Sequence, residues 1–274
     1  MEMKMELTFD GDTAGMPYLR AEMQSGGLEE KLRAALEEEK GAFVWLTDEP
    51  EAVKRLKGEG KCVLYLLTRE NAGAFCPEAD WCAEGETDTK FLWQVWLRSR
   101  GLPWHICETP RLCLRETLEE DLDFFYEMTK EEETAGFLEP LEENRATERE
   151  KLAAYRQQMY GFYGFGIWTL LEKDTGRTVG RAGLQMREGY PEPELGFGIA
   201  AGFRRQGYGE EACRAVLDYA EKELELKQVR AVVDERNVKS RRLCEKLGFY
   251  MDTIQKTASG MWIYYRYDCK NVVV

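Results

Sequence analysis

One stretch of the chain decides its fold, and it reads Arg204-Arg205-Gln206-Gly207-Tyr208-Gly209. An apolar run at residues 195–200 precedes it and predicts a strand, and the amphipathic residues 207–224 predict a helix after it. A diphosphate binds where several backbone N–H groups point to one place at the start of a helix. Glycines let the backbone approach closely, and arginines supply cationic donors for phosphate oxygens. The stretch therefore predicts a phosphate-binding loop.

A second motif follows, and it begins with Asn237-Val238-Lys239-Ser240 and ends with Leu247-Gly248-Phe249. A strand is predicted before it at residues 228–233, and a helix is predicted within it at residues 239–247. A glycine loop alone is a frequent chance match, whereas two successive strand–loop–helix units are not. The second motif therefore supports the interpretation of the first as a ligand-binding loop.

Together the two motifs resemble those of the GNAT acetyltransferase superfamily. Its acyl-CoA loop pattern, Arg/Gln-x-x-Gly-x-Gly/Ala, is matched by Arg204, Gly207 and Gly209. Its next motif, Asn-x-x-Ser/Ala with a Leu-Gly-Phe ending, is matched from Asn237 onward. Residues 109–115 also look like the first strand of the ribosomal-protein-alanine N-acetyltransferase branch. The resemblance extends over residues 109–268.

The resemblance implies direct transfer of an acetyl group from acetyl-CoA to a primary amine, without an acyl-enzyme intermediate. It places the pantetheine arm alongside the strand at residues 194–199 and the phosphates on the amides of residues 205–209. No metal takes part. The cofactor-binding residues that it implies are Ile199, Arg204, Arg205, Gln206, Gly207, Tyr208, Gly209, Asn237 and Ser240.

The resemblance also implies candidates for the catalytic groups. Glu194 begins the central strand and is the predicted general base, acting through a water; the alternative is a surface glutamate beside Pro193. Asp234 and Glu235 are further candidates for the base. Arg181 and Gln185 could line the acceptor cleft or pack on a strand face, and Asn237 could cap its helix as well as contact the cofactor.

One residue departs from the family pattern. Many members carry a tyrosine that protonates the leaving thiolate, and Cys244 stands at that place here. A cysteine can donate a proton, but it can also be an inert packed thiol. The general acid is therefore left unassigned.

Composition narrows the classes of function. The net charge of −13 includes no basic stripe, so no nucleic-acid partner is predicted, and it favours a cationic acceptor such as an amine. No apolar run approaches the roughly 20 residues that span a bilayer, and residues 1–6 do not resemble a signal peptide. The expected location is the cytoplasm, without a membrane partner.

Cysteine and histidine usage argues against a metal site. The eight cysteines include no Cys-x-x-Cys pair, and His105 is the only histidine. A His/Cys site would lack ligands, so no metal is predicted and the thiols are expected to be reduced. His105 is interpreted as a packed or surface residue, because no nucleophile motif accompanies it.

Two domains are predicted. Residues 105–274 form the GNAT-like domain, with a mixed, mostly antiparallel sheet flanked by helices, and residues 1–104 form a smaller α/β module of unassigned role. Within that module, apolar runs at residues 42–47 and 62–67 predict parallel strands around a helix at residues 51–58, with Asp48 as its N-cap. Further predicted elements of the module are a strand at residues 4–9 and helices at residues 28–40 and 88–100. In the GNAT-like domain, a helix is predicted at residues 147–159.

Three functional classes remain open at this point. The first is an N-acetyltransferase whose acceptor is a small molecule or a protein. The second is a non-catalytic acyl-CoA sensor whose N-terminal module carries the output. The third is a scaffold, which the intact glycine loop disfavours because a scaffold has no need of that backbone geometry. The oligomeric state is not readable from the chain.

Overall fold

The structure is a computed structural model that describes residues 44–47, 49–67, 71, 76–84, 94–95, 97–98, 102–131, 136–258 and 260–270. The chain divides into two compact units, Met1–Trp104 and His105–Val274. No helix in the described part of the chain is both long enough and apolar enough to cross a bilayer.

The first unit contains a three-stranded parallel sheet in the order β1-β2-β3. Its elements are β1 (Val44–Thr47), α1 (Pro50–Gly58), β2 (Cys62–Leu67) and β3 (Trp81–Glu84). The apolar runs correctly predicted β1 and β2 as parallel, because parallel strands are usually covered on both faces. Strand β3 was not predicted, since its four residues are too few to show a period.

Several predictions for the first unit need correction or fall outside the described residues. The N-cap of α1 is Glu49, which makes no side-chain capping bond, and Pro50 stands at the first helical position. Asp48 lies outside the described residues, as do the predicted strand at residues 4–9 and the helix at residues 28–40. Of the predicted helix at residues 88–100, positions 94, 95, 97 and 98 are described and are helical.

The second unit is built on one eight-stranded sheet. Its strands are β4 (His105–Glu108), β5 (Leu112–Arg115), β6 (Ile167–Glu172), β7 (Thr178–Gln185), β8 (Glu194–Ile199), β9 (Gln228–Asp234), β10 (Tyr250–Thr257) and β11 (Gly260–Asp268). Its α-helices are α2 (Leu122–Lys130), α3 (Arg145–Tyr155), α4 (Tyr208–Lys222) and α5 (Val238–Leu247), with 3₁₀ turns at Glu119–Asp121 and Ala201–Phe203.

The strand order is β10-β11-β9-β8-β7-β6-β5-β4. Every neighbouring pair is antiparallel except β8 and β9, which are parallel. Helix α4 packs against β7 and β8, and α2 also contacts β7. The predicted mixed, mostly antiparallel sheet with flanking helices is confirmed.

Two local features differ from the predictions. A helix was predicted at residues 147–159, but α3 ends at Tyr155 and continues as a π-helix over Arg156–Tyr163, which closes at Gly164 with a φ of 73°. Strand β4 was not predicted, because its four residues carry no alternating pattern; it pairs with β5 in an antiparallel hairpin.

Candidate functional site

The site begins where β8 and β9 separate. These parallel strands pair only at Glu194 and Arg230, and beyond that pair the edge of β8 facing β9 has no ladder partner among the described residues. A cavity of about 1150 Å³ opens there, between residues 195–199 and residues 231–234. Its walls include most of the predicted site residues, namely Glu194, Ile199, Arg204, Arg205, Gly207, Tyr208, Gly209, Asn237 and Ser240.

The glycine loop brings the start of α4 to the cavity wall. Gly207 is the N-cap residue of α4 and has a φ of 87°, a left-handed conformation that side chains with a Cβ rarely adopt. A Cβ added at Gly209 would lie 3.5 Å from both Ile199 Cγ1 and Leu243 Cδ2. The first N–H groups of a helix have no acceptor within it, so this end of α4 suits an anion.

Residues far away in the chain brace this loop. The Arg111 guanidinium donates to the Gln206 carbonyl oxygen at 2.8 Å and to Glu211 Oε2 at 2.7 Å, and it lies 4.4 Å above the Tyr208 ring. Glu211 also accepts hydrogen bonds from the Thr109 hydroxyl and the Arg111 amide. Sequence reasoning missed this contact, because no pattern links residues that are 100 positions apart.

Two of the predicted phosphate-binding residues have other contacts. Arg204 Nε donates to the Ile199 carbonyl oxygen at 2.8 Å, and its guanidinium also pairs with Glu131, so it fastens the loop to the end of β8. The Gln206 amide donates to the Gly202 carbonyl oxygen at 3.0 Å, and Gln206 is not part of the cavity wall. Arg205 is exposed and lines the cavity with a φ of 61°.

The carboxylates of the cavity wall are held by cations. Glu194 is 12% exposed; its Oε2 accepts from Arg230 at 2.8 Å, and its Oε1 lies 3.5 Å from Arg187 Nε. Hydrogen bonds from Arg236 hold the pKa of Asp234 below its usual value. Glu235 does not line the cavity. Glu194 and Asp234 are therefore brought into the site, and Glu235 is not.

The Arg230 side chain, which pairs with Glu194, lies beside two aromatic rings. Its guanidinium carbon lies 3.4 Å from the Tyr190 ring centroid and 5.8 Å from that of Tyr264. Arg230 is 7% exposed, and its Nε and Nη1 atoms have no hydrogen-bond partner among the described residues. Attraction to the ring faces compensates the buried cation in part, and Glu194 supplies the opposite charge.

Arg181 and Gln185 both lie in the cavity wall, beside the loop at residues 136–139. Arg181 Nη2 donates to the Glu139 carbonyl oxygen at 3.3 Å, and the Gln185 side-chain oxygen accepts a hydrogen bond from Arg187 Nη2 at 2.6 Å. These positions agree with the predicted lining of a cleft rather than with packing alone.

The second motif caps a helix beside the cavity. Asn237 is the N-cap of α5, and its Oδ1 accepts a hydrogen bond from the Ser240 amide at 3.1 Å. Leu243 lines the cavity, whereas the next residue, Cys244, is fully buried away from it. Burial raises the pKa of the Cys244 thiol to about 12. Cys244 therefore has the properties of a packed thiol rather than of an acid for this cavity.

Replacing Cys244 by alanine should leave turnover within about twofold while lowering stability by about 1–2 kcal/mol, because only packing is lost. The measurement is the rate of thiol release from acetyl-CoA together with urea unfolding. A loss of turnover of tenfold or more in a folded Cys244→Ala protein would restore this thiol as the acid; Cys213→Ala, another buried cysteine, is the matched control.

A separate cluster could hold a metal ion by geometry. Ligand atoms of His105, Glu108 and Cys113 lie within 4.8 Å of one another on the β4–β5 hairpin, with Cys113 Sγ 3.2 Å from His105 Nδ1. The spacing of cysteine and histidine along the chain gave no indication that Glu108 could be a third ligand. The Lys173 ammonium forms an ion pair with the Glu108 carboxylate at 2.7 Å, so it would compete with a metal ion for this ligand. The absence of a metal stays a prediction.

The comparisons with known proteins agree with this geometry. A family model described as "Acetyltransferase (GNAT) domain" matches residues 111–250, which is just over half of the chain. The uncharacterized protein YkkB of Bacillus subtilis (strain 168) is 35% identical over 107 residues, which are 38% of this chain and 62% of YkkB. The chain thus spans less than two thirds of the length of that relative.

Two solved structures share the fold. A Bordetella pertussis protein assigned to the GnaT acetyltransferase family is 25% identical, with a TM-score of 0.52 over 60% of this chain and 99% of that one. A ribosomal-protein-S5-alanine acetyltransferase from Vibrio fischeri is 13% identical, with a TM-score of 0.53 over 63% of this chain and 100% of that one, and shows the fold alone. The chain therefore belongs to the GNAT acetyltransferase family, as its two motifs predict.

Proposed function

We propose that this protein transfers the acetyl group of acetyl-CoA directly to the primary amine of a small molecule or a protein. The observation that carries the proposal is the divergence of β8 from β9 after a single pair, with the glycine loop and the start of α4 at the cavity wall. We also propose that residues 105–274 are the catalytic domain and residues 1–104 a separate module, in the cytoplasm.

The cavity suits acetyl-CoA along its length. Along the edge of β8 that faces β9, backbone N–H and C=O groups have no ladder partner among the described residues. The amides of the pantetheine arm can form hydrogen bonds with these groups, as a neighbouring strand would. The amides of residues 205–209 and the exposed Arg205 suit the phosphates. Ile199, Gly209, Asn237 and Ser240 would line the cofactor, while Arg204 and Gln206 would act by holding the loop.

The chemistry is a nucleophilic substitution at the thioester carbon. The neutral amine forms a C–N bond, the C–S bond breaks, and coenzyme A leaves as the thiolate. Backbone N–H groups on β8 would stabilise the tetrahedral oxyanion. Glu194 would receive the proton of the amine through a water, since it begins β8 and lies in the cavity wall.

A second candidate is a non-catalytic acyl-CoA sensor. It is favoured by the pairing of carboxylates in the cavity wall with cations, such as Glu194 with Arg230 and Glu210 with Lys246. An ion pair makes a carboxylate a weaker base, so an ion-paired Glu194 is less suited to accept the proton of the amine.

An amine panel separates the two candidates. The full chain is incubated with acetyl-CoA and single primary amines, and released thiol and acetylated product are measured together. Release of one thiol per acetylated amine supports the transferase. Saturable acetyl-CoA binding without amine-dependent thiol release, across amino acids, polyamines and peptide N-termini, would favour the sensor.

A further inference from the structure

We propose that the acceptor amine also carries a carboxylate and that Arg181 binds this carboxylate. The inference rests on the proposed transferase function and concerns the part of the same cavity that faces the loop at residues 136–139.

Arg181 stands on the acceptor side of the sheet. It pairs with Gly198 across β7 and β8, and Gln185 pairs with Glu194 four residues along the same strand. Side chains two and four residues apart on a strand share a face, so Arg181, Gln185 and Glu194 project to the same side. Between them lie glycines, which leave the Arg181 side chain at the surface of the cavity.

Apolar side chains lie close to Arg181. The Phe125 ring centroid lies 5.6 Å from its guanidinium carbon, and the Leu138 and Ile167 side chains approach the neighbouring glycines of β8. Burial lowers the pKa of Arg181 from its ordinary value. The cation is therefore poorly solvated and gains from a counter-ion.

No carboxylate of the described residues forms an ion pair with Arg181 within 4.0 Å, although Glu139 and Glu148 attract the cation from a greater distance. Its Nη2 donates to a backbone carbonyl oxygen, that of Glu139, while the Glu139 carboxylate pairs with Arg187 at 3.3 Å. Glu148, a buried carboxylate in the same region, accepts the Glu142 amide at 2.8 Å and forms no ion pair with Arg181 within 4.0 Å. Glu194 is already shared by Arg187 and Arg230.

A guanidinium with several unused donors is suited to a carboxylate, which it can bind through two parallel hydrogen bonds. This local positive charge adds a second requirement to the expectation from the net charge of −13, which favoured a cationic acceptor such as an amine. The acceptor class that fits is an amine with an acidic group, found in free amino acids and in peptides with an acidic residue near the N-terminus.

Matched acceptors test the inference. Thiol release is measured with amino acids and their amides, and with peptides whose second residue is aspartate or asparagine. We expect each carboxylated acceptor to have a kcat/KM about ten- to a hundredfold above that of its neutral partner, the effect of hydrogen bonds to a charged group. The pair that shows the preference identifies the source of the carboxylate.

Arg181→Gln should abolish the preference by raising the KM for the carboxylated acceptor, with the KM for acetyl-CoA unchanged. Arg181→Lys should keep part of it. Equal or better turnover of the amides by the parent protein, or an unchanged ratio in Arg181→Gln, would overturn the inference.

A binding experiment makes the inference testable without turnover. N-acetyl amino acids and their amides are titrated into the CoA-saturated protein and followed by ligand-observed NMR. Binding of the acid and not of the amide, lost in Arg181→Gln, is expected. Such binding without thiol release in the presence of any amine would refute the transferase and retain the carboxylate site. Turnover of neutral amines without acid-selective binding would support the transferase and refute the carboxylate site.

Discussion

Glu194→Gln is expected to lower the turnover of acetyl transfer by about a hundredfold or more, the usual contribution of a general base. The substitution keeps the size of the side chain and removes the charge that accepts the amine proton. The KM for acetyl-CoA should change little, because the loop at residues 205–209 is untouched. Steady-state thiol release with a saturating amine measures the effect.

The same substitution also leaves Arg230 without its carboxylate. Arg230 is 7% exposed, and removing one partner of a buried ion pair costs about 3–5 kcal/mol, reduced here because the Tyr190 ring also stabilises the cation. A loss of activity could then come from a loss of stability. The double variant Glu194→Gln with Arg230→Met removes both charges and keeps an unbranched side chain over Tyr190.

The double variant separates the two explanations. If Glu194 is the base, the free energy of unfolding should return toward that of the parent protein while turnover stays low. Recovery of turnover together with stability would show that Glu194 serves only as the partner of Arg230, and it would remove Glu194 from the catalytic step.

Gly209→Trp should weaken acetyl-CoA binding by at least about a hundredfold, equivalent to about 2.8 kcal/mol. The new side chain must enter the space between Ile199 and Leu243, where even a Cβ already lies 3.5 Å from both. This space is where the cofactor would pass from β8 to the helix start. The readout is the rise in melting temperature that saturating acetyl-CoA produces in the parent protein.

Gly209→Ala is the matched control for this experiment. Its Cβ makes only ordinary van der Waals contacts, and alanine is allowed at this position of the loop pattern. The alanine variant should bind acetyl-CoA nearly as well as the parent protein. If the tryptophan variant were stabilised by acetyl-CoA as strongly as the alanine variant, the cofactor could not lie between Ile199 and Leu243.

The sequence predicted the centre of the sheet better than its periphery. Strand β8 has the predicted bounds, Glu194–Ile199, and α4 begins one residue after the predicted start, because the glycines and the apolar run mark both ends. Short strands such as β3 and β4 were missed, since four residues do not establish a period. The π-helix at Arg156–Tyr163 was not predicted, because no hydrophobic period in the sequence distinguishes it from an α-helix.

In the candidate site, too, the local motifs were predictable from the sequence and the long-range contacts were not. Local motifs placed the loop and the Asn237 cap beside one cavity, because each motif is a strand–loop–helix unit. Contacts between distant segments were not predictable: Arg111 and Glu211 brace the loop, and Arg204 turns inward to Glu131. The pairing of Glu194 with Arg230 was also missed, since it depends on which strands become neighbours.

Equilibrium dialysis of the full chain against radiolabelled acetyl-CoA tests the central claim most directly. The account predicts one saturable site per chain with micromolar affinity, competed by coenzyme A and not by acetate, present in Gly209→Ala and lost in Gly209→Trp. Absence of saturable binding to the folded parent protein would contradict it, because the transferase, the sensor and the carboxylate-bearing acceptor all require acetyl-CoA in this cavity.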